Sequence, residues 1–187
     1  LLREANLLTQ RDNFQQNLLA RTQFWQSLGY ADAMSADYRL SLFAYENEAI
    51  PALLTALSQQ SKRCFLAVPE GRALANINTW AKQTLRAGDS ISVGSLTLGV
   101  LPFLSPEQYD QLLWACDVNL VRGEDSFIRG HWAARPLLWH IYPQEENAHW
   151  PKLEAWLDVI KNVSPNDAES YLAAQRGWNR GDESVTF

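Results

Sequence analysis

Apolar positions along this chain follow two spacings, one typical of strands and the other of amphipathic helices. Segments of helical spacing separate short runs rich in β-branched and aromatic residues. The 91–104 region, ISVGSLTLGVLPFL, predicts one or two further strands around Gly94. Strands that alternate with helices favour a parallel sheet, so we predict an α/β fold, Rossmann-like, with about five strands and flanking helices. The other predicted strands are RLSLFAY (39–45), CFLAV (64–68), VNLVRG (118–123) and PLLWHIY (136–142).

The first 38 residues have a different pattern from the rest of the chain. Apolar positions between 7 and 28 predict one amphipathic helix ending at Gly29, and the small and polar residues 30–38 predict a linker. We therefore divide the chain into a helix and linker (1–38), a Rossmann-like domain (39–163), and a C-terminal helix and tail (164–187).

Composition is that of a folded soluble protein, with 47% hydrophobic and 20% charged residues and a net charge of −5. Basic residues are scattered and no long apolar run occurs, so neither a nucleic-acid nor a membrane partner is expected. Cys64 and Cys116 lie in separate apolar runs, which predicts two buried, reduced thiols in a cytoplasmic protein. The chain begins LLREANLL and its only methionine is Met34, so we expect part of a longer protein.

The run Val118–Ser126, VNLVRGEDS, carries the clearest candidate chemistry. A strand that ends at Arg122-Gly123 and a helix that starts near Glu124 would place helix amide groups at the edge of the sheet where ligands bind. These amides and Arg122 favour an anion such as a diphosphate, and Glu124 could accept a hydrogen bond from a sugar hydroxyl. The alternative is that Glu124 and Asp125 only stabilise the helix dipole.

Residues after the other strands leave more than one interpretation open. Phe43 and Tyr45 share a strand face and could stack on a base or pack in the core.

Other motifs that carry chemistry are not found in the sequence. Neither a GxGxxG fingerprint nor a P-loop is present, which argues against simple dinucleotide or ATPase sites. The three histidines are nine residues apart on different predicted elements, so we expect structural histidines and no metal site. No general base stands out in the sequence.

Several segments resemble the bacterial elongation factor P arginine rhamnosyltransferases. The resemblance implies the C-terminal, donor-binding half of a GT-B glycosyltransferase, which binds dTDP-β-L-rhamnose without a cofactor or metal. It further implies that the absent N-terminal domain holds the catalytic aspartates and docks elongation factor P, whose arginine is rhamnosylated with inversion. The matching segments are SLFAYEN (41–47), VPEGRAL (68–74), LPFL (101–104), residues 109–158 and GWN (177–179).

The resemblance also implies roles for individual residues. Phe43 and Tyr45 would lie near the thymine, and the loop of Leu104, Ser105 and Pro106 would contact the base through its backbone. Glu124 is the residue expected to serve catalysis, although this chain alone is expected to be inactive. The nucleotide-sugar motif would comprise Arg122, Gly123, Glu124, Asp125 and Ser126.

Two alternatives to this function stay open on the sequence. One is a GT-B domain for a different nucleotide sugar, because the sequence does not fix the choice of base. The other is a non-catalytic interaction domain that uses an exposed helix at 7–28 as its interface.

Overall fold

The computed structural model describes residues 4–163 and 168–182, and within them one sheet lies between two layers of helices. The strands are β1 (Tyr38–Leu42), β2 (Cys64–Pro69), β3 (Ser90–Val93), β4 (Leu96–Leu101), β5 (Val118–Arg122) and β6 (Leu137–His140). The helices are α1 (Leu7–Gln16), α2 (Leu18–Ser27), α3 (Ile50–Ser58), α4 (Leu74–Ala81), α5 (Pro106–Ala115), α6 (Asp125–Trp132), α7 (Trp150–Val163) and α8 (Ala168–Arg180). Short 3-10 turns occupy Ala31–Ser35 and Glu145–Asn147.

The strand order is β3-β4-β2-β1-β5-β6, with every pair parallel except β3 and β4. From the central β1 the chain moves outward to β2 and β4, then returns to the other side of β1 as β5. This reversal makes the β1–β5 boundary a topological switch point. The α/β, Rossmann-like prediction is confirmed, with six strands because the region around Gly94 forms an antiparallel hairpin.

Alternation along the strands builds a separate core on each face of the sheet. In β2, Phe65 and Ala67 belong to one core, while Leu66 and Val68 belong to the other. The first core also contains buried side chains of α1, α2, α5 and α7. The second contains those of α3 and α4, together with Trp178 of α8.

The prediction of one continuous amphipathic helix over 7–28 is wrong, because two helices form there. Asn17 has an extended backbone (φ −95°, ψ 99°), and its side chain accepts a hydrogen bond from the Ala20 amide at 3.1 Å. It therefore ends α1 and caps α2, as asparagine does readily. Phe14 and Trp25 are buried in the first core, so both helices pack on the sheet.

The segment predicted as a linker is also packed on the sheet. Tyr30 is buried, and its hydroxyl donates to the Val100 carbonyl oxygen at 2.7 Å.

Two local features set the ends of helices on the other face of the sheet. The Asn47 side chain accepts from the Ala49 amide in a turn, and α3 starts after this turn at Ile50. Helix α4 ends at Ala81, because Lys82 adopts a left-handed conformation (φ 54°).

Side chains of α8 cover the outer edge of β6. Gln175 accepts from the Trp139 amide at 3.1 Å and donates to the Leu137 carbonyl at 3.0 Å. Asn179 accepts from the Ile141 amide at 3.0 Å and donates to the Trp139 carbonyl at 2.7 Å. The two amides therefore take the place of a neighbouring strand and close an edge that would otherwise be open to pairing.

The boundaries predicted at residues 38 and 163 stay predictions. Of the predicted C-terminal helix and tail, residues 164–167 and 183–187 lie outside the described residues.

A substitution at Gly99 would test how closely Tyr30 packs on β4. A Cβ atom there would lie 2.6 Å from the Tyr30 ring, so we expect Gly99→Ala to displace the ring and its hydrogen bond. The expected loss in free energy of unfolding is about 1–3 kcal/mol, measured by urea denaturation. Gly71→Ala is the matched control, because its nearest contact would be 3.8 Å. Equal stabilities of the two variants would contradict this packing.

Candidate functional site

The ends of β1 and β5 meet at the switch point, and their register aligns the residues that follow. Leu42 of β1 pairs with Leu120 of β5, and the Phe43 amide donates to the Leu120 carbonyl at 2.9 Å. On the other side, Arg122 pairs with His140 of β6. The residues following β1 therefore lie beside Arg122, as the predicted parallel sheet implied.

Arg122 lies between two aromatic rings. Its guanidinium carbon is 4.2 Å from the centre of the Phe43 ring and 4.9 Å from that of Tyr45. Cation–π contacts of this kind hold a guanidinium flat and in place. Burial lowers the pKa of Arg122, and the nearby Arg72 lowers it further. None of the ion pairs among the described residues includes Arg122, so its positive charge is uncompensated there.

Gly123 makes the turn from β5 into α6. Its φ of +64° is in the left-handed region, and an added Cβ would lie 3.1 Å from the Tyr45 hydroxyl. Its amide already donates to the His140 carbonyl at 3.1 Å, and its carbonyl accepts from the Trp139 indole at 2.7 Å. Gly123 therefore shapes the site without a free backbone group to offer a ligand.

The start of α6 leaves amide groups without helical partners. The first bond in this helix runs from the Ile128 amide to the Glu124 carbonyl at 3.1 Å, so the amides of Asp125, Ser126 and Phe127 have no acceptor within it. The Glu124 side chain makes no capping hydrogen bond. These amides lie next to Arg122, which is the arrangement predicted as an anion cradle.

A cleft of about 480 Å³ opens beside this cradle. It brings together predicted site residues from three separate segments of the chain, and it also includes Tyr109 and Arg129 of α5 and α6. Arg129 is paired with Asp110 at 2.6 Å, so its charge is balanced by a carboxylate. The lining residues are Phe43, Pro69, Glu70, Phe103, Leu104, Pro106, Tyr109, Arg122, Asp125, Ser126 and Arg129.

The loop predicted to contact a base is largely occupied by its own helix cap. The Ser105 amide donates to the Gln108 side chain at 3.0 Å, and the Ser105 hydroxyl accepts from the Gln108 amide at 3.2 Å. These two bonds form a capping box, and Pro106 has no amide hydrogen to donate. Of the three predicted loop residues, Leu104 therefore has the backbone groups best placed to meet a ligand.

Tyr45 and Glu124 line a second, smaller pocket of about 270 Å³, next to the first. The Glu124 side chain is 75% exposed and forms an ion pair with Lys152 at 3.0 Å. Two neighbouring pockets thus divide the predicted residues, with Arg122 between Phe43 of the first and Tyr45 of the second. The remaining lining residues of the smaller pocket are Gly123, Ile141, Tyr142, Gln144 and Lys152.

Nine lining residues of the two pockets were not among the predicted site residues, and three of them are exposed rings or carry a charge at the smaller pocket. Phe103 is 90% exposed and Tyr142 is 58% exposed, and each lies just beyond a strand that ends at this edge. Exposed rings at strand ends are the signal that could have identified them. Lys152 comes from α7, far along the chain, and no local pattern marks it.

The three histidines have separate surroundings. His140 is buried with its ring 5.2 Å from that of Tyr45, and burial lowers its pKa to about 4. His131 contacts the Trp156 indole nitrogen at 3.2 Å, and His149 accepts from the Gln144 amide at 3.1 Å. Within residues 4–163 and 168–182, no group of three or more potential metal ligands comes together.

Both cysteines are free and buried, which confirms that prediction. Burial raises the pKa of Cys64 to about 12, so this thiol stays protonated. None of the helices in the described part of the chain is long and apolar enough to span a membrane.

The fold and the site together define a class: a Rossmann-like unit with a cleft at its topological switch point, lined by an arginine and the start of a helix. The family follows from the whole sequence. Residues 1–186 match the model of the elongation factor P rhamnosyltransferase EarP, so the chain belongs to this family, as the resemblance predicted.

Individual relatives agree with this assignment. The chain is 48% identical over 181 residues to the protein-arginine rhamnosyltransferase of Pseudomonas putida, and 47% identical over 183 residues to that of Pseudomonas aeruginosa. These alignments cover 96% and 97% of the chain and 48% of each relative, so the chain spans about half of their length.

A solved structure supports the same fold. It is described as the structural basis for EarP-mediated arginine glycosylation of translation elongation factor EF-P. The match has a TM-score of 0.89 and 42% identity, and it covers 99% of this chain and 60% of that chain.

Burial of His140 predicts a pH-dependent stability. Because its pKa falls from 6.5 to about 4 on folding, the unfolded state binds the proton first as pH drops. Between pH 7 and pH 5 we expect this group to lower the free energy of unfolding by about 2 kcal/mol. Urea denaturation of wild type and His140→Gln at both pH values measures the difference, with the exposed His131→Gln as control. An unchanged pH dependence in His140→Gln would contradict the prediction.

Proposed function

We propose that this chain is the donor-binding half of a metal-independent GT-B protein-arginine rhamnosyltransferase, that its donor is dTDP-β-L-rhamnose, and that it needs no separate cofactor. The observation that carries the proposal is the uncompensated Arg122 beside the free amides of Asp125 and Ser126. Family membership supplies the reaction class, and the relatives are named for transfer to protein arginine. Elongation factor P is the proposed acceptor, by the same membership.

The reaction places a specific demand on this half. An acceptor guanidine nitrogen forms a bond to the anomeric carbon, while the bond from that carbon to the diphosphate oxygen breaks. The departing diphosphate gains negative charge, which preorganised amides and a fixed guanidinium stabilise. Arg122 and the first turn of α6 are the groups suited to this task, and we assign them to it.

A proton must also leave the acceptor guanidinium, since a protonated arginine is a poor nucleophile. No group in the cleft is placed here as that base. We assign the base, and most contacts to the protein acceptor, to the part of the family's enzymes that this chain does not span. This chain by itself would then bind donor without transferring the sugar.

Glu124 is the carboxylate that we assign to the donor sugar. It borders the smaller pocket, next to the anion cradle, and its side chain is exposed. We propose that it accepts a hydrogen bond from a hydroxyl of the donor. In this role it is the catalytic residue of this half, because it touches the sugar during transfer.

Aromatic rings are the proposed base contacts. Phe43 and Tyr45 already hold Arg122, whereas the ring of Phe103 is almost fully exposed at the mouth of the cleft. An exposed ring of this kind offers a stacking surface for a base. We therefore add Phe103 to the predicted base-contacting residues.

The two alternatives fare differently. A different nucleotide sugar remains the competing candidate, because stacking on Phe103 does not distinguish bases. The interaction-domain alternative used an exposed helix at 7–28 as its interface, but that segment forms two helices. Their larger side chains Phe14, Phe24 and Trp25 are buried in the core, whereas Leu18 and Leu19 are exposed.

Replacing Arg122 tests the anion cradle. We expect Arg122→Met to weaken binding of dTDP by at least about tenfold, since a hydrogen-bonded charge contributes roughly 1.5–3 kcal/mol. Isothermal titration calorimetry measures the change, and circular dichroism checks that the variant is folded. Arg63→Met is the control, because Arg63 is exposed and precedes β2 at the opposite edge of the sheet. Equal affinity of the two variants would overturn the proposal.

Replacing Phe103 tests base stacking. Because stacking on one ring contributes about 1–3 kcal/mol, we expect Phe103→Ala to weaken dTDP binding by roughly tenfold. Val93→Ala, which alters another exposed apolar residue, should have no effect. Titration of the wild type with UDP and GDP then compares the bases. Tighter binding of either than of dTDP would favour the alternative donor.

A further inference from the structure

The ion pair between Glu124 and Lys152 joins two elements that are distant in sequence. Glu124 is the residue before α6, and Lys152 lies in the first turn of α7. The Lys152 ammonium is 3.0 Å from a Glu124 carboxylate oxygen, and the two side chains are 55% and 75% exposed. Exposed pairs of this kind contribute little to stability, so the charge of the pair matters more here than its effect on folding.

The Glu124 carboxylate bonds to Lys152 and not to its own helix. A side chain in this position usually bonds the free amides that follow, but Glu124 makes no capping bond. Instead the side chain reaches the smaller pocket, whose lining also includes Tyr45, Tyr142 and Lys152. The amides of α6 are thereby left open, and the carboxylate is held to one side of them.

The position of the Glu124 carboxylate affects how much negative charge a donor diphosphate would meet at the start of α6. Glu124 and Asp125 place two carboxylates at the start of α6, where an incoming diphosphate would also bring negative charge. Among the described residues near the cradle, Arg129 is paired with Asp110, and Arg122 is the unpaired cation on β5. Lys152 supplies the cation next to Glu124, and opposite charges at such a distance cancel much of each other's field.

We propose that Lys152 is a positioning residue for donor binding: its pairing with Glu124 holds the carboxylate in the smaller pocket and cancels its repulsion of the donor diphosphate. This inference rests on the proposed function. It assigns the lysine an indirect role, exerted through Glu124 and not by contact with the diphosphate.

Titration with dTDP at low salt tests the proposal. We expect Lys152→Met to weaken binding about three- to tenfold, because an unpaired Glu124 would repel the diphosphate, and screening by salt would shrink the effect. Lys152→Arg should restore most of the affinity. Lys161→Met is the matched control, since Lys161 is an exposed lysine on the same helix and should leave binding unchanged. Equal losses in the two methionine variants would overturn the inference as a general charge effect.

A double-mutant cycle separates the indirect role from direct contact. In a Glu124→Gln background we expect Lys152→Met to change dTDP affinity less than about twofold, because the carboxylate to be neutralised is gone. A full effect in that background would show direct contact with the diphosphate and would overturn the proposal. If the wild type binds dTDP and Lys152→Met binds equally well, this inference fails alone. If the folded wild type does not bind dTDP, the proposed donor site fails as well.

Discussion

One buried hydrogen bond fixes the register on which the site depends. Ser41 of β1 and Asn119 of β5 are direct partners across the central strand pair, and the Ser41 hydroxyl donates to the Asn119 side chain at 2.7 Å. Both residues are fully buried, and Asn119 also donates to the Leu113 carbonyl at 3.0 Å. A slip of one residue would leave these polar groups without partners in an apolar core, which is costly.

The same register places the functional groups. With Ser41 opposite Asn119, the chain leaves β1 at Phe43 just where Arg122 ends β5, so the guanidinium enters between two rings. The next pairing sets His140 beside Arg122 and brings the Gly123 amide to the His140 carbonyl. Because α8 covers the outer edge of β6, this last strand stays in place without a further neighbour. The buried Ser41–Asn119 bond, the covered edge of β6 and the proposed anion cradle thus all depend on the same register of the strands.

Local patterns predicted most of the fold and about half of the site. Strand runs, the capping box at Ser105 and the Arg122-Gly123 turn follow from nearby residues, and the parallel sheet then brings Phe43 to Arg122. The break at Asn17 was missed because the apolar spacing continues through it, although asparagine is a good helix cap. The pairing of Lys152 with Glu124 and the cover of β6 by Gln175 could not be predicted, since both depend on how distant helices pack.

In the proposed anion site, the conformation of Arg122 would suit an anion before any ligand is present. Partial burial removes water from the guanidinium, and the rings of Phe43 and Tyr45 replace only part of that hydration. An arginine remains charged under these conditions, whereas a lysine could release its proton. The side chain is therefore held in place with its charge unneutralised, so little ordering cost would remain when a diphosphate binds. Folding already removes water from Arg122, so a bound anion would gain the interaction with its charge without a further cost of desolvating the guanidinium.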